Sequence, residues 1–564
     1  MPRRIRFTVA ARLADPAARP GRLASFRGVL LPLPAPAAPG AFDFQRQAYF
    51  QGLGGLGFAT SKVHTGTGAG GGGFLEAIEA LRHDMTVRIQ GTIGGAAGAV
   101  AAALVTGERA AIPEDVNVAM RDTGLAHLLS ISGLHISLVA GIVFTGMRVL
   151  LALVPALALR FAIKKWAAAA AIGAAFFYLL LSGADVPTQR SFLMTAVLLV
   201  AVLVDREAIS LRLVAWAAAA ILLLTPESMV GASFQMSFAA VLALVAAYEA
   251  GRERIRAWRG QRSVLGRVLL YAALVCFTTV IATAATTPFA LYHFNRFAAY
   301  ALPANLIAVP LTSFWVMPWA VVAVLAMPFG LDAWPLAAMG WGVEGINAAA
   351  KWIAGWPGAA WTVPVMPDLG IALFAVGGLW LCLWRQPMRW WGVPVAAIGL
   401  ATIALPRPPD LVVDGDARAV ALRGPGGYWV FEERAAPIVV ETWLRRAAAD
   451  RLPWPDGRAD PAAVPRCDDR LCRLRHGNER IAVVRTRNAL TEACRSADVV
   501  VALVPMRWDC GRGVLAIDRR DLERAGAHAV RLGGVRQVET TAALRGRRPW
   551  VAGPFGERPA GADQ

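Results

Sequence analysis

Charge is scarce in this sequence. Of 564 residues only 17% are Asp, Glu, Lys or Arg, while 56% are hydrophobic; soluble domains carry about 25% charged residues. The deficit excludes an ordinary soluble globule. A phosphate-binding Gly-x-x-x-x-Gly-Lys-Ser/Thr loop is also missing, which excludes a nucleotide-driven motor of that type within the chain. Beyond residue 405 there are only two histidines, His476 and His528, far apart and without neighbouring ligands. No His-x-His-x-Asp-His cluster is available there to hold the metal pair that hydrolyses phosphodiesters.

What the chain has in abundance is long apolar sequence. Runs of bilayer-spanning length, about 17–25 residues, recur at 135–156, 166–182, 186–204, 209–225, 228–248, 268–290, 302–326, 335–355, 370–384 and 391–405. The expected fold class is a polytopic α-helical membrane protein of about ten spans. The run 91–107, with five glycines, fits a place along the membrane interface. Basic loops stay on the cytoplasmic side. Arg252, Arg254, Arg256, Arg259, Arg262 and Arg267 crowd residues 251–267 against Glu253, and Lys164, Lys165, Arg385 and Arg389 mark two other loops. Counting spans outward from all three loops places the N-terminal region and the tail outside. The arginines of 251–267 also suit a docking site for a cytoplasmic partner.

Against this background a few polar residues stand out. Residues 127–141 hold His127, Ser130, Ser132, Gly133, His135 and Ser137 at the mouth of an apolar run. Gln189 and Arg190 open another run, after Ser182 and Gly183, and Ser233, Gln235 and Ser237 lie inside a third. Thr286, Thr287 and Pro288 lead to Tyr292, His293, Asn295 and Arg296, and Asn305 follows Pro303. Polar groups are costly in a bilayer, so they face a protein interior or a water-filled path. In their order these four segments resemble those of the ComEC competence family, over roughly residues 108–326.

The resemblance implies a bacterial inner-membrane channel that passes single-stranded DNA into the cytoplasm during natural transformation. It implies a cytoplasmic motor ATPase and a periplasmic DNA receptor as partners, beside membrane lipid, and no cofactor. On that reading His127, Ser130, Ser132, His135, Gln189, Arg190, Ser233, Gln235, Ser237, Arg296 and Asn305 line the DNA pathway, around one polar cavity open to the outer side. Arg190 and Arg296 attract phosphate, the amides and hydroxyls donate hydrogen bonds, and Phe234, Phe238 and Trp315 let bases slide by stacking. A structural reading competes, because Ser, Thr, Asn and Gln also bond helix to helix in membranes. His135 stands open between a structural hydrogen-bonding residue, a pathway residue and a metal ligand. Glu344 and Lys351, seven residues apart, share a face of one helix, with Glu344 the more buried; a structural pair with another helix is preferred over a proton-coupled pathway. Two other functions remain: an intramembrane hydrolase using Ser132 with His135, and a small-molecule exporter. The hydrolase needs an oriented base and an oxyanion site that the sequence does not clearly supply.

Two polar regions flank the membrane block. Residues 1–73 read as a partial oligonucleotide-binding-like region, with strands over 3–9 and 22–33 and a flexible Gly-rich linker at 66–73. In the family such a barrel, itself preceded by transmembrane helices, comes before the channel. Here only its end matches. A complete five-stranded barrel is therefore not expected before the linker, and the chain start reads as truncated, misassigned or reduced in this lineage. Residues 74–405 are the channel domain. The tail, 406–564, opens on a stiff Pro-rich stretch and alternates short apolar runs with an Ala-rich helix at 438–449, as an α/β periplasmic domain would. Many ComEC proteins end in a metallo-β-lactamase-like domain. The tail resembles a degenerate copy of it, with no metal and no nuclease activity, and Asp414 and Asp416 read as turn residues. Four of the six cysteines, Cys467, Cys472, Cys494 and Cys510, lie in the tail. An even number in an oxidising compartment suggests disulfides. Of three connectivities Cys467–Cys472 with Cys494–Cys510 is preferred, with a zinc site as competitor. Cys276 and Cys382 fall in spans and read as packing residues. The tail's 27 arginines against 21 acids suit weak electrostatic contact with DNA.

Overall fold

The computed structural model describes residues 4–15, 20–69, 73–206, 210–259, 264–432, 437–453 and 466–551. Five strands precede the helical block: β1 (Arg4–Thr8), β2 (Arg22–Ser25), β3 (Gly28–Leu31), then, after α1 (Phe44–Phe50), β4 (Leu53–Ala59) and β5 (His64–Ala69). They form one sheet in the order β1-β4-β3 and a separate β2-β5 pair. The sequence pattern had shown strands at the positions of β1, β2 and β3 alone. The glycine run that read as a linker from residue 66 is half strand: β5 pairs with β2, Arg22 opposite Ala69. Residues 70–72 of that linker lie outside the described residues. Glycine serves packing here. A Cβ on Gly57 of β4 would stand 2.4 Å from the Phe7 ring of β1.

The helical block begins with α2 (Phe74–Ile93) and α3 (Gly95–Thr106), joined by Gly94 and Gly95 at φ 75° and 53°. The interfacial reading of 91–107 is corrected: every residue from Ala97 to Thr106 is buried. Small side chains let neighbouring backbones close around α3, and its polar end is tied down by Arg82 Nε donating to the Thr106 carbonyl, 2.7 Å. After α4 (Glu114–Asp122) come α5 (Gly133–Ala152), the short α6 (Pro155–Arg160), α7 (Ile163–Leu181), α8 (Val186–Leu203), α9 (Leu211–Leu224), α10 (Ala232–Arg259) and α11 (Val264–Phe294). Strand β6 (Arg296–Ala298) leads into α12 (Ala301–Leu311) and α13 (Met317–Ala326), which a π-helical turn over Thr312–Val316 joins. Then follow α14 (Ala333–Ala354), β7 (Ala360–Thr362), α15 (Asp368–Leu383) and α16 (Gly392–Ala401).

Among the described residues five stretches are long and apolar enough to cross a membrane: Gly133–Ala152, Ile163–Leu181, Ala232–Glu253, Ala273–Phe294 and Ala301–Phe329. The other expected spans fall on shorter or more polar helices. At 1.5 Å per residue, the 16 residues of α15 reach about 24 Å, short of the roughly 30 Å hydrocarbon core. Helix α14 is long enough, but Glu344 is exposed on it rather than buried, and Lys351 pairs with Asp115 of α4 at 2.7 Å. The expected basic loop 251–267 is mostly helix, since α10 runs to Arg259 and α11 starts at Val264. Arg262, with the rest of 260–263, lies outside the described residues.

The helices alternate in direction, so their termini sort into two ends. At one end Lys165 meets Asp205 (2.6 Å), the Leu211 amide donates to Glu249 (3.2 Å), and Arg385 pairs with Glu249 (3.0 Å). The other end gathers the starts of α5, α8, α10 and α15, the end of α11 and the β6–β7 pair. Helices α15 and α16 touch backbone to backbone. A Cβ on Gly377 would lie 2.5 Å from the Gly392 carbonyl, and one on Gly399 2.6 Å from that of Gly370. That seven-residue spacing on both helices is the close packing small residues permit.

The tail is two packed sheets between helices. Its elements are β8 (Leu411–Val413), β9 (Ala419–Gly424), β10 (Gly427–Glu432), α17 (Pro437–Ala447), β11 (Asp450–Arg451), β12 (Arg466–Cys467), β13 (Leu471–His476), β14 (Glu479–Val484), α18 (Leu490–Ser496), β15 (Val499–Ala502), β16 (Leu515–Ile517), α19 (Arg519–Ala525), β17 (His528–Arg531), β18 (Gln537–Thr540) and α20 (Thr541–Arg545). One sheet runs β11-β10-β9-β8-β17-β18 and the other β12-β13-β14-β15-β16. Leu411, Val420 and Leu422 of the first meet Ile481, Val483 and Val501 of the second. Helix α17 covers the outer face of the first sheet through Val440 and Trp443, and α18 covers that of the second through Leu490 and Ala493. Alternating side chains give each strand two apolar faces, which is why so many tail strands read as unbroken Val, Ile and Ala.

The N-terminal region is strapped to this tail. Trp443 Nε1 donates to the Ala37 carbonyl (2.7 Å) and Arg446 to those of Gly40 and Pro39 (2.9 and 3.2 Å). Arg545 pairs with Asp43, the N-cap of α1, at 2.8 Å, and Trp550 packs against Tyr49 and Phe50. The tail in turn meets the motif-bearing end of the bundle, where the Val365 amide donates to the Arg446 carbonyl, 3.2 Å.

Candidate functional site

Helix α5 starts from an unusual cap. After a 3-10 turn over Ala126–Leu129, the Ser132 amide donates to His135 Nδ1 at 3.2 Å, and the Ser132 hydroxyl lies 3.1 Å from the same nitrogen. This is a capping box with histidine in the place usually held by Glu or Gln. Because Nδ1 accepts from an amide, the ring proton sits on Nε2. His135 is fully buried, and Nε2 has no partner. His127 is exposed, with Nδ1 3.0 Å from the Gly124 carbonyl. Ser137 bonds back to the Gly133 carbonyl, 2.7 Å.

Helix α8 starts beside it. The turn before it needs Gly183 at φ 81° and Ala184 at φ 49°. Thr188, Ser191 and Thr195 are buried, at a spacing that puts them on one face; a Cβ on Gly133 would lie 3.7 Å from the Ser191 hydroxyl. That hydroxyl stripe went unremarked in the sequence, although its i, i+3, i+7 spacing was legible. Gln189 is exposed and donates to the Ala184 carbonyl, 2.7 Å. Arg190 is 6% exposed. Its Nη2 donates to the Ser233 hydroxyl at the start of α10, 2.5 Å, while its Nε is shielded and unpartnered.

Gln235, one turn into α10, donates to the Met229 carbonyl (3.1 Å) and accepts from His293 Nε2 of α11 (2.7 Å). Next to His293, Tyr292 donates to Asp368 at the start of α15, 2.8 Å. Asn295 takes a left-handed φ of 53°, which turns the chain into the β6–β7 pair. Arg296 forms an ion pair with Asp122 of α4, a partner the sequence did not reveal. Asn305 donates to Ala301 of its own helix, 2.8 Å. Ser130 and Ser237 are half-buried, the Phe234 and Phe238 rings lie 4.4 Å apart at a tilt of 37°, and the Trp315 indole donates to the Ala338 carbonyl, 2.7 Å.

The structure therefore joins Arg190 to Ser233 and Gln235 to His293, and sets α5 against α8. It does not bring all the motif residues to one cavity. A small cleft opens beside Arg190, lined by Gln189, Arg190, Leu193, Ile221, Leu224, Thr225 and Ser228; His135, Gln235 and Asn305 are not part of it. The physical reason is local satisfaction. Short amides and hydroxyls near helix starts reach their own backbone carbonyls, as Gln189, Asn305 and Ser137 do.

In the tail the two disulfides join Cys467 to Cys472 and Cys494 to Cys510. Asp518 is the N-cap of α19 and accepts from the Asp521 and Met506 amides, at 2.9 and 2.8 Å. Asp414 is buried, which pushes its carboxyl up, with Asp416 adding to the effect. His528 is buried and its imidazole is held below its ordinary range by that burial. His476 sits 3.3 Å from Asp410. Among the described residues no three His, Cys, Asp or Glu stand close enough to share a metal ion.

The model of the family described as Competence protein matches residues 104–388. Competence protein ComA of Neisseria gonorrhoeae is 42% identical over 179 residues, covering 30% of this chain and 25% of that protein. ComE operon protein 3 of Bacillus subtilis (strain 168) is 26% identical over 309 residues, 55% of this chain and 36% of the relative. The uncharacterized protein YcaI of Escherichia coli (strain K12) is 30% identical over 321 residues, 51% of this chain and 40% of the relative. The alignments thus span from a quarter to two fifths of these curated relatives. No solved structure matches.

Proposed function

The chain belongs to the competence protein family, and on that premise we propose that it is the inner-membrane channel through which single-stranded DNA enters the cytoplasm in natural transformation. The observation that carries this reading is the one-sided distribution of polar groups. Buried Arg190 and His135 and the Gln235–His293 pair all lie at the end of the bundle that meets the tail. A strand of phosphates entering there meets hydroxyls, amides and a cation before it meets an apolar interior, which suits a path that must bind and release.

The ten helical passes from α5 to α16 are read as crossings, the shorter ones lying where neighbouring helices and a locally thinned bilayer accommodate them. The N-terminal region and tail are read as periplasmic, and the basic end as cytoplasmic, where a motor ATPase would dock; a DNA receptor would deliver the strand from the periplasm. The tail is read as a non-catalytic scaffold. The hydrolase reading has the Ser132 hydroxyl 3.1 Å from His135 Nδ1, but that nitrogen also accepts the Ser132 amide, and Nε2 has no partner to orient the ring as a base.

Deleting the gene and following uptake of labelled DNA tests the proposal. Transformation is expected to vanish and to return with the intact gene, while DNA bound at the cell surface stays. Undiminished entry of label into the cytoplasm would refute the channel. His135→Ala should lower transformation without lowering the amount of protein in the membrane.

A further inference from the structure

Arg190 has a charge and no counter-charge. It is 6% exposed, and no carboxylate pairs with it among the described residues. The nearby acid Asp185 is exposed and turned to Arg109, 3.8 Å away. The guanidinium donates to a neutral hydroxyl, that of Ser233, and its Nε is shielded without a partner. Burying a cation without compensation is costly, and its position makes the cost higher.

Three helices begin around it: α5 at Gly133, α8 at Val186 and α10 at Ala232. Each N-terminus carries partial positive charge, and all three have at least 18 residues. The Arg190–Ser233 bond ties α8 to α10, and Ser191 lies against Gly133 of α5. Buried His135, in the first turn of α5, also keeps an unpartnered Nε2, although it does not line the cleft. Among the described residues no acid pairs with Arg190; Asp185, the N-cap of α8, is exposed beside Arg109, and Glu227 is half-buried between the cleft residues Thr225 and Ser228 in the chain. The cleft beside Arg190 is also lined by Thr225 and Ser228, whose hydroxyls donate to the Ile221 and Thr225 carbonyls, and by Gln189, whose amide donates to the Ala184 carbonyl.

We infer that this cleft is a subsite for one phosphodiester monoanion of a nucleic-acid strand, with Arg190 as its cationic ligand. The inference rests on the channel reading for the source of the phosphate. One buried cation matches the single charge of a phosphodiester; a phosphate monoester, nearly doubly charged, would need a second. Helix N-termini supply neutral donors without making a trap. Arg296, the other candidate, is already neutralised by Asp122 and does not act as such a ligand.

The test uses the full chain purified into lipid nanodiscs and a short fluorescent oligothymidylate, with affinity measured across a salt series. A single-strand phosphate contact contributes about 0.7 to the slope of log affinity against log salt. Arg190→Gln should weaken binding about tenfold or more and lower the slope by about that amount. Arg190→Lys should keep the slope and lose part of the affinity. Arg148→Gln, an exposed arginine toward the far end of α5, should change neither. An unchanged slope in Arg190→Gln, or an equal fall in Arg148→Gln, would overturn the subsite. So would displacement of the oligonucleotide by modest mole fractions of phosphatidylglycerol, which would make it a lipid site. If Arg190→Gln does not survive purification, Arg190→Lys carries the test, and wild-type affinity in it would overturn the guanidinium's part. The channel reading fails separately, on DNA uptake in the deletion strain, and the binding result stands whichever way uptake falls.

Discussion

The two ends of the helical bundle use charge in opposite ways. At the basic end, Lys165 pairs with Asp205 and Arg385 with Glu249, and most of these side chains are well exposed. Such pairs contribute little to stability; on the proposed topology the surplus positive charge around them favours the cytoplasmic side. At the motif end exposed pairs such as Arg109–Asp185 occur as well, but two polar groups lie deeper. Arg190 and His135 are buried, neither has a charged partner, and each keeps an unpartnered nitrogen. Charges that only orient a protein can stay wet and paired. A buried charge without a partner persists only where something else compensates it, and that difference separates an orienting end from a working one.

The comparison breaks most visibly at Arg190. Arg190→Glu puts an unpaired anion where three helix N-termini converge and where phosphate is expected. Transformation should fall about 100-fold or more with protein still in the membrane, whereas Lys165→Gln and Arg385→Gln should transform within a few-fold of wild type. Comparable losses at both ends, measured as transformants per viable cell, would erase the distinction.

The tail attached to the motif end offers the next largest effect. Cys494 and Cys510 close a loop of 16 residues, worth about 3 kcal/mol in the chain-entropy account. Replacing both by Ala should lower the tail's resistance to urea and to protease by about that much, and replacing Cys467 with Cys472 by less, because their loop spans five residues. Urea unfolding of the full chain, followed by tail tryptophan fluorescence, measures both. Equal losses would show that loop length does not govern the effect.

Between the ends, α15 and α16 test whether the short helices are held by packing. Gly377→Leu drives a side chain into the Gly392 carbonyl and should cost about 1–3 kcal/mol, whereas Gly378→Leu, which faces open space, should be nearly neutral. Thermal aggregation in detergent ranks the two.

The smallest effect belongs to an exposed tail pair. Arg480 holds the Asp498 carboxyl down to about 2, against about 3.9 in an unfolded chain. A depressed carboxyl stabilises the fold above its unfolded value and loses that contribution as pH falls through about 2. Asp498→Asn should therefore flatten the stability profile between about pH 4 and pH 2 and leave transformation untouched. An unaltered profile in urea titrations would show the pair to be idle.

Much of this arrangement was legible beforehand, and the reasons differ by region. Long uninterrupted apolar runs made α5, α7, α10, α11 and the α12–α13 pair readable, because periodicity is not needed where a helix is apolar on all sides. The motif residues were visible as polar islands. Helix α3 was misjudged because its glycines suggest a loose interfacial segment, while in the bundle its Ala, Val and Leu side chains are buried. Strands β4 and β5 escaped notice because Gly-rich strands carry almost no alternation.

By itself, the sequence determined that this is a membrane protein with strongly basic loops, a cysteine-bearing tail of alternating apolar runs, and polar residues in four segments at or within its apolar runs. Those properties follow from composition and order, and they survive any packing. Only the tertiary structure decided that Arg296 is paired by Asp122 while Arg190 is left without a counter-ion, that Gln235 finds His293, and that residues 37–50 bind the tail. Each depends on residues dozens to hundreds of positions apart arriving within 3–4 Å of one another, and local pattern carries no record of such meetings.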